Sequence, residues 1–241
     1  MPRGPRIIEI GPGDGSVTQE LISLGHSVTA IEIDADLIPR LKKRFHRDDF
    51  NVIPADVMQV DWKTNPIVSG EFALAGNLPY NIATALLGKI YDALRGEDSP
   101  LLKTMVFTFQ KEVAERLTSS VGGRGYGGLT LITEYHCKAE YLFSIPADCF
   151  FPKPKVDGGV VRLTPHESDH SSSVPYPIFK KIVRGCFAQR RKVLRNSLRV
   201  VNGLSSGWEN LPLDWSRRPE DLSFSEYMQL AADLVKLGLE C

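Results

Sequence analysis

Four consecutive residues, Asn77, Leu78, Pro79 and Tyr80, offer the groups that a flat heterocycle with an exocyclic amine would need. They follow the apolar run 72–76 and precede a helical pattern that begins at Ile82. The Asn77 amide oxygen and a backbone carbonyl at Leu78 or Pro79 can both accept hydrogen bonds from an amino group, and the Tyr80 ring can cover the heterocycle's face. Proline stiffens the turn and so holds the carbonyls in place. Asn and Pro are also common turn residues, and the tetrapeptide alone fits an ordinary strand-to-helix turn equally well.

The elements that would position these groups begin almost at once. Residues 6–10 read as an apolar strand running into a glycine-rich turn, Gly11-Pro12-Gly13-Asp14-Gly15, and then a helix over 16–24. Glycines after a parallel strand let the backbone bend sharply and approach a ligand closely, because no Cβ stands in the way. A second strand over 27–33 carries Glu32 about 20 residues beyond the first glycine, where such folds place a partner for ribose hydroxyls, and Ile33 follows it at the same strand end. The spacing is not that of a dinucleotide site, since Glu9-x-Gly11-x-Gly13-x-Gly15 puts one carboxylate just before the turn and Asp14 inside it. Carboxylates there would repel a diphosphate but suit a ligand with an ammonium and a sulfonium, as in S-adenosylmethionine. As solvated turn acids they would merely favour the following helix N-terminus.

A third strand over 50–54 ends at Asp56, whose carboxylate can accept from an adenine N6 amine while the Val57 backbone contacts the ring edge. By itself Asp56 is as well explained as a loop or capping residue. Helices over 35–45, 82–94 and 111–117 alternate with a fourth strand ending at Asn77 and a fifth over 103–110. That alternation predicts an α/β fold with a doubly wound parallel sheet, in which ligands sit at the carboxyl ends of the strands. The glycine turn, Glu32, Asp56 and Asn77 all fall at such ends.

Further along, 122–128 (Gly-Gly-Arg-Gly-Tyr-Gly-Gly) reads as a mobile connection, followed by a helix over 129–136 and strands over 139–145 and 159–163. Between those strands a proline-stiffened loop presents Phe150 and Phe151. Phe150 could stack a base from the face opposite Tyr80, with Lys153 and Lys155 near phosphates, and one of the two phenylalanines is expected in the core. Residues 164–177 look like a linker. Beyond it, 179–199 is rich in Lys and Arg without a single acid, a basic amphipathic helical module read as an RNA phosphate surface that includes Arg190, Arg191, Lys192 and Arg195. Closing helices are expected over 219–239. Domain limits at 1–168 and 169–241 follow.

With 241 residues, 42% of them hydrophobic, the chain can bury one large core and a smaller attachment. Its formal net charge is zero, so a nucleic-acid surface must come from segregated charge. Cys137, Cys149, Cys186 and Cys241 show no paired spacing and the five histidines no cluster, which argues against a metal site or a disulfide framework and fits a reducing cytoplasm. No apolar run is long enough to span a bilayer.

The combination of Glu9-Ile10-Gly11-Pro12-Gly13, Asn77-Leu78-Pro79-Tyr80, Phe107-Thr108-Phe109-Gln110-Lys111-Glu112, the loop from Phe150 to Asp157 and the basic run from Phe187 to Leu198 resembles the small-subunit ribosomal RNA adenine dimethyltransferases over essentially the whole chain. The resemblance implies a Rossmann-like methyltransferase sheet with a small helical C-terminal domain. It implies transfer of methyl groups from S-adenosylmethionine to N6 of two adjacent adenosines near the 3′ end of small-subunit rRNA, by a cytoplasmic monomer acting on the immature small ribosomal subunit. It matches Gly11, Gly13, Glu32, Asp56 and Asn77 to cofactor positions, and Asn77, Leu78, Tyr80 and Phe150 to positions that hold the target base. Relatives normally carry a Gln-Asn-Phe-Leu-like segment before the first strand. Here only Met1 to Pro5 precede it, so a truncated chain with weaker cofactor binding and an exposed apolar edge by the glycine turn is expected. Gly158 and Gly159 stand where small residues or Ser are usual and are expected only to loosen the strand start. Alternative readings are a large-subunit rRNA methyltransferase, a non-catalytic RNA-binding assembly or transcription factor on the same fold, and a DNA adenine methyltransferase.

Overall fold

Runs rich in β-branched and aromatic residues form the strands β1 (Arg6–Ile10), β2 (Val28–Glu32), β3 (Phe50–Pro54), β4 (Phe72–Asn77), β5 (Leu102–Gln110), β6 (Cys137–Ile145) and β7 (Gly158–Pro165), with β1 and β2 largely buried and β6 far more exposed. The computed structural model describes residues 5–46, 48–79, 81–95, 99–166, 174–204 and 206–240. Tyr80, expected to cover the base, lies outside the described residues, as does Cys241. The sheet has the order β3-β2-β1-β4-β5-β7-β6. The pairs β1/β2, β1/β4, β2/β3 and β4/β5 are parallel, and β5/β7 is antiparallel. The expectation of a parallel sheet is therefore corrected at β7, which reaches β5 from the loop 146–157 without the crossover helix that parallel neighbours need.

Strand order runs outward from β1 in one direction and from β4 in the other, so a crevice opens between their carboxyl ends, where folds of this kind take ligands. The register is tight there. Ile10 pairs with Gly76, which sets Gly11 beside Asn77. A Cβ at Gly76 would fall 2.6 Å from the Ile10 carbonyl oxygen, so only glycine lets β4 approach β1 this closely. Helices α1 (Ser16–Ser23) and α2 (Leu37–Arg44) bury Ile22 and Leu41 against Val28, Ala30, Val52 and Phe45. At about 1.5–3 kcal/mol for each fully buried aliphatic side chain, this small cluster fixes the helix that follows the glycine turn. Gly15 is part of that packing: its φ is 85° and a Cβ there would meet Phe45 Cε2 at 2.5 Å. Helices α3 (Ala83–Ala93) and α4 (Lys111–Leu117) follow β4 and β5.

The backbone divides into two compact units, Met1–Ala114 with Glu140–Pro165, and Glu115–Ala139 with His166–Cys241. The boundary read from the sequence at 168/169 assigned α5 (Gly128–His136) to the first domain. Its Leu131 and Tyr135 instead belong to the core formed by α6 (Tyr176–Ala188), α7 (Leu194–Leu198) and α8 (Phe224–Lys236), a partnership that periodicity cannot specify. The loop 122–128 also corrects the expectation of a mobile connection. Tyr126 is 1% exposed and donates its hydroxyl to the Leu222 carbonyl at 2.7 Å, so the glycines wrap a buried aromatic anchor.

Candidate active site

Gly11 and Gly13 have φ values of 63° and 59°, a left-handed conformation that a side chain would strain. A Cβ at either position would have no heavy atom within 4 Å, so both face open space. Glu32 is 6% exposed and held by backbone: Oε1 accepts from Ile33 N and Asp34 N, both at 2.9 Å, and Oε2 receives a longer contact from Gly13 N at 3.4 Å. The carboxylate is thus aimed before any ligand arrives. Ile33 beside it is 70% exposed and Val17 44%, leaving apolar surface around the turn.

Asp56 continues the row. The Ala55 N–H donates to the Glu32 carbonyl at 3.0 Å, tying the ends of β2 and β3 together. The Asp56 carboxylate accepts from Met58 N at 2.8 Å and caps the 3-10 turn Val57–Gln59, leaving its other oxygen for a ligand. Val57 is buried at 7% exposure, so only its backbone can meet a ring.

At the end of β4, Asn77 is exposed and pairs with Thr108 of β5. The Leu78 side chain is buried, and its carbonyl accepts no hydrogen bond from the described residues. The Pro79 carbonyl already accepts from Ile82 N at 3.1 Å, in the turn that starts α3. Of the two carbonyls left open by the sequence, only that of Pro79 accepts from a described residue. Phe150 arrives at the same strand end. Its Cζ lies 2.9 Å from where a Gly158 Cβ would stand, and Thr108 Cγ2 lies 3.1 Å from that point. Gly158 is therefore the seat of the Phe150 ring, and a Gly159 Cβ would meet Ala114 Cβ at 2.6 Å, so neither glycine merely loosens the strand. Phe150 is half-buried and Phe151 wholly exposed, which overturns the expectation that one of them is core. Asp157 anchors the loop, its carboxylate accepting from Ala147 N and its carbonyl from Lys111 N, both at 2.9 Å.

Glu9 lies beneath the turn at 2% exposure, paired in register with Ala30 and Ala75. Thr18, fully buried on α1, donates Oγ1 to Glu9 Oε2 at 2.5 Å. Burial pushes the Glu9 carboxyl up to about 6 against the opposing pull of that hydrogen bond. Sequence reasoning missed Thr18, and it named Thr108 and Asp157 only within motifs, without a role. The signal for Thr18 was faint but real: an acid inside an apolar strand must find a hydroxyl on the covering helix.

In the second unit the basic run is less unbalanced than its sequence. Glu220 pairs with Arg190 at 2.5 Å, and Glu209 with Arg195 at 3.7 Å and Arg199 at 2.9 Å, so acids from later in the chain neutralise part of it. Arg191 and Lys192, in the turn between α6 and α7, are exposed and make no ion pair with the described residues. In the first unit Lys153 is paired with Asp148, whereas Lys155 is exposed without such a partner among the described residues.

Residues 3–208 match the family described as "Ribosomal RNA adenine dimethylase". The chain belongs to this family. Within the ribosomal RNA adenine dimethylases it is 41% identical over 227 residues to the "Ribosomal RNA small subunit methyltransferase A" of Legionella pneumophila (strain Corby), an alignment covering 93% of this chain and 85% of that one. A dimethyladenosine transferase from Plasmodium falciparum has a similar structure, with a TM-score of 0.81 at 27% identity over 98% of this chain and 92% of its own. The 23S rRNA methyltransferase ErmE shares the fold, with a TM-score of 0.68 at 22% identity over 94% and 91%. The fold is that of the Rossmann-like methyltransferases. Among the described residues no helix is long and apolar enough to cross a membrane.

Proposed function

We propose that this chain transfers methyl groups from S-adenosylmethionine to N6 of two adjacent adenosines near the 3′ end of small-subunit ribosomal RNA, giving N6,N6-dimethyladenosine. The carrying observation is the row of ligand-ready groups along the β1/β4 crevice: open-faced Gly11 and Gly13, pre-aimed Glu32, Asp56 with one oxygen spare, and exposed Asn77 registered beside Gly11. The donor set fits the cofactor. Carboxylates suit ribose hydroxyls, an adenine amine and an ammonium, and would reject a diphosphate. Glu9, Gly11, Gly13, Glu32, Ile33, Asp56, Val57 and Asn77 would hold it. When bound, S-adenosylmethionine supplies a methyl carbon made electrophilic by its sulfonium.

The residues supply geometry and charge. An adenine N6 lone pair is delocalised into the ring, which makes the amine a poor nucleophile. The Asn77 amide oxygen and the Leu78 carbonyl accept its two hydrogens and draw them out of the ring plane, restoring density to nitrogen. Once a methyl is added the nitrogen sheds one proton to solvent and a single N6 hydrogen remains, so one acceptor suffices for the second transfer. Phe150 stacks one face of the base and Tyr80 the other, which requires the adenosine to leave its own stack, at small cost in a loop. Positioning then carries most of the rate, with no general base required before transfer.

Arg191 and Lys192 in the second unit, and separately Lys155 in the first, would meet phosphates, while Arg190, Arg195 and Lys153 are paired with acids of the chain. The protein would act as a cytoplasmic monomer on the immature small subunit. The likeness to curated small-subunit enzymes at 41% identity favours this reading over large-subunit methylation. Incubation of immature small subunits with methyl-labelled S-adenosylmethionine should give primer-extension stops at two adjacent adenosines of the small-subunit RNA. Label confined to large-subunit RNA, or no label at all, would refute it.

A further inference from the structure

Phe151 is the most exposed large apolar side chain among the described residues, wholly open to solvent where the next, Ile33, is 70% exposed. It does not stand on a loose segment. Phe150 N donates to the Ala147 carbonyl at 3.2 Å and Ala147 N to the Asp157 carboxylate at 2.9 Å, which closes the loop 146–157 on itself. Lys111 N donates to the Asp157 carbonyl at 2.9 Å, which ties that loop to the end of β5. An anchored loop that holds an aromatic ring in water presents it to a partner outside the chain.

The direction of the ring is set by its neighbour. The backbone at Phe150 is extended, with φ −107° and ψ 147°, so side chains 150 and 151 leave the chain on opposite sides. Phe150 turns to the strand end, onto Gly158 and Thr108, and Thr108 is registered with Asn77. Phe151 turns away from that strand end into solvent. Adjacent bases that have left their stack are joined only by a flexible sugar–phosphate link, so one can enter the crevice while the next takes a different platform. The charges beside Phe151 fit that link. Lys155 is exposed, and Lys153 pairs only with the exposed Asp148 carboxylate, a contact that water already weakens. A ring followed by lysines at two and four residues suits a base and its phosphate better than an apolar protein surface.

We propose that Phe151 is the platform for the nucleotide next to the target adenosine: its ring stacks on the flanking base while Phe150 faces the target, and Lys155 meets a phosphate of the same strand. The proposal rests on the crevice being the site of adenine methylation. A flanking base held on Phe151 cannot restack on the target, so the ring acts on how well the opened RNA is held and not on the transfer step itself.

Kinetics of the full chain on immature small subunits test this. Phe151→Ala should raise KM for the subunits about tenfold, with kcat, S-adenosylmethionine affinity and melting temperature unchanged. Phe151→Trp and Phe151→Tyr should keep the wild-type KM, whereas Phe151→Leu, apolar but without a π face, should behave as Phe151→Ala. A KM for Phe151→Ala within about twofold of wild type overturns the proposal, since a stacked base contributes more than that. So does a leucine variant that works as well as wild type, the mark of a protein contact. The photoreactive substitution Phe151→p-benzoylphenylalanine locates the partner directly: reverse transcription should map the crosslink to the nucleotide next to a methylated adenosine. A crosslink to a ribosomal protein or to a distant RNA segment, or none at all, overturns the proposal. Methylated small-subunit RNA with the crosslink elsewhere sinks the platform and leaves the methylation reading standing. Label only in large-subunit RNA, with the crosslink beside the labelled adenosine, sinks that reading and keeps the platform, and neither label nor crosslink sinks both.

Discussion

Two glycine-rich segments, 11–15 and 122–128, look alike in sequence and do opposite things. In the first, Gly11 and Gly13 adopt positive φ with nothing within 4 Å of a Cβ, and acids line the space around them. In the second, a Cβ at Gly123 would meet the Ser120 carbonyl oxygen at 2.8 Å, and the centre of the loop is filled by the buried ring of Tyr126. Glycine content reports only that the backbone turns tightly. Whether the turn makes a binding site depends on whether the released volume stays empty or is claimed by the chain's own side chains.

If the open turn and its neighbours carry the chemistry, the largest effect should come from Asn77→Ala. It should lower the rate of methyl transfer at saturating S-adenosylmethionine about 10²–10³-fold while the chain remains folded, with a smaller loss of cofactor affinity, as read by single-turnover assays and calorimetry. A loss of tenfold or less would move the chemistry away from this strand end.

The next effect is on stability. Folding raises the proton affinity of Glu9 from 4.5 to about 6, so the folded chain holds more protons than the unfolded chain across that window. Stability should fall by about 1–2 kcal/mol as pH rises through it, and should stay lower above pH 6. Denaturant titrations of Glu9→Gln should lack that fall, making the variant more stable than wild type at pH 8 yet poorer in binding the methyl donor.

A paired substitution sharpens the contrast between the loops. Gly13→Ala should cost about 1–2 kcal/mol of backbone strain and also reduce methyl-donor affinity, because the new methyl group enters the ligand's space. Tyr126→Phe should cost about 1–2 kcal/mol by stranding the Leu222 carbonyl, with methyl-donor affinity unchanged. Equal affinity losses in both variants would erase the distinction.

The smallest effect concerns Glu226 in the second unit, the counterpart of Glu9 with the opposite sign. Paired with Arg217 and capping α8 through Ser223, it is held at about 2, so its contribution is present above pH 4.5 and lost as pH falls toward 2. Solvent screening limits it to about 0.5 kcal/mol, which acid melts of Glu226→Gln against wild type should resolve.

Much of the first unit was readable because its signals are local. Strand periodicity gave β3 over 50–54 and α4 over 111–117 at the observed limits, and the glycines, Glu32, Asp56 and Asn77 announced strand ends by residue type. What escaped depends on partners distant in sequence. Thr18 matters only because α1 folds over Glu9, Gly158 only because the Phe150 ring returns onto it, and Arg190 is paired because Glu220 comes back to it from 30 residues away.

The amino-acid sequence by itself determined the alternation of strands and helices, the fold class and the kinds of groups available at the strand ends, because these follow from periodicity and from what each side chain can donate or accept. The tertiary structure decided which of those groups share a crevice, which glycine turn stays open, which carbonyl beside Asn77 is used by the turn into α3 and which cations are paired with carboxylates. The physical reason is that volume, desolvation and ion pairing are properties of neighbours in space, and a chain's neighbours exist only once it has folded.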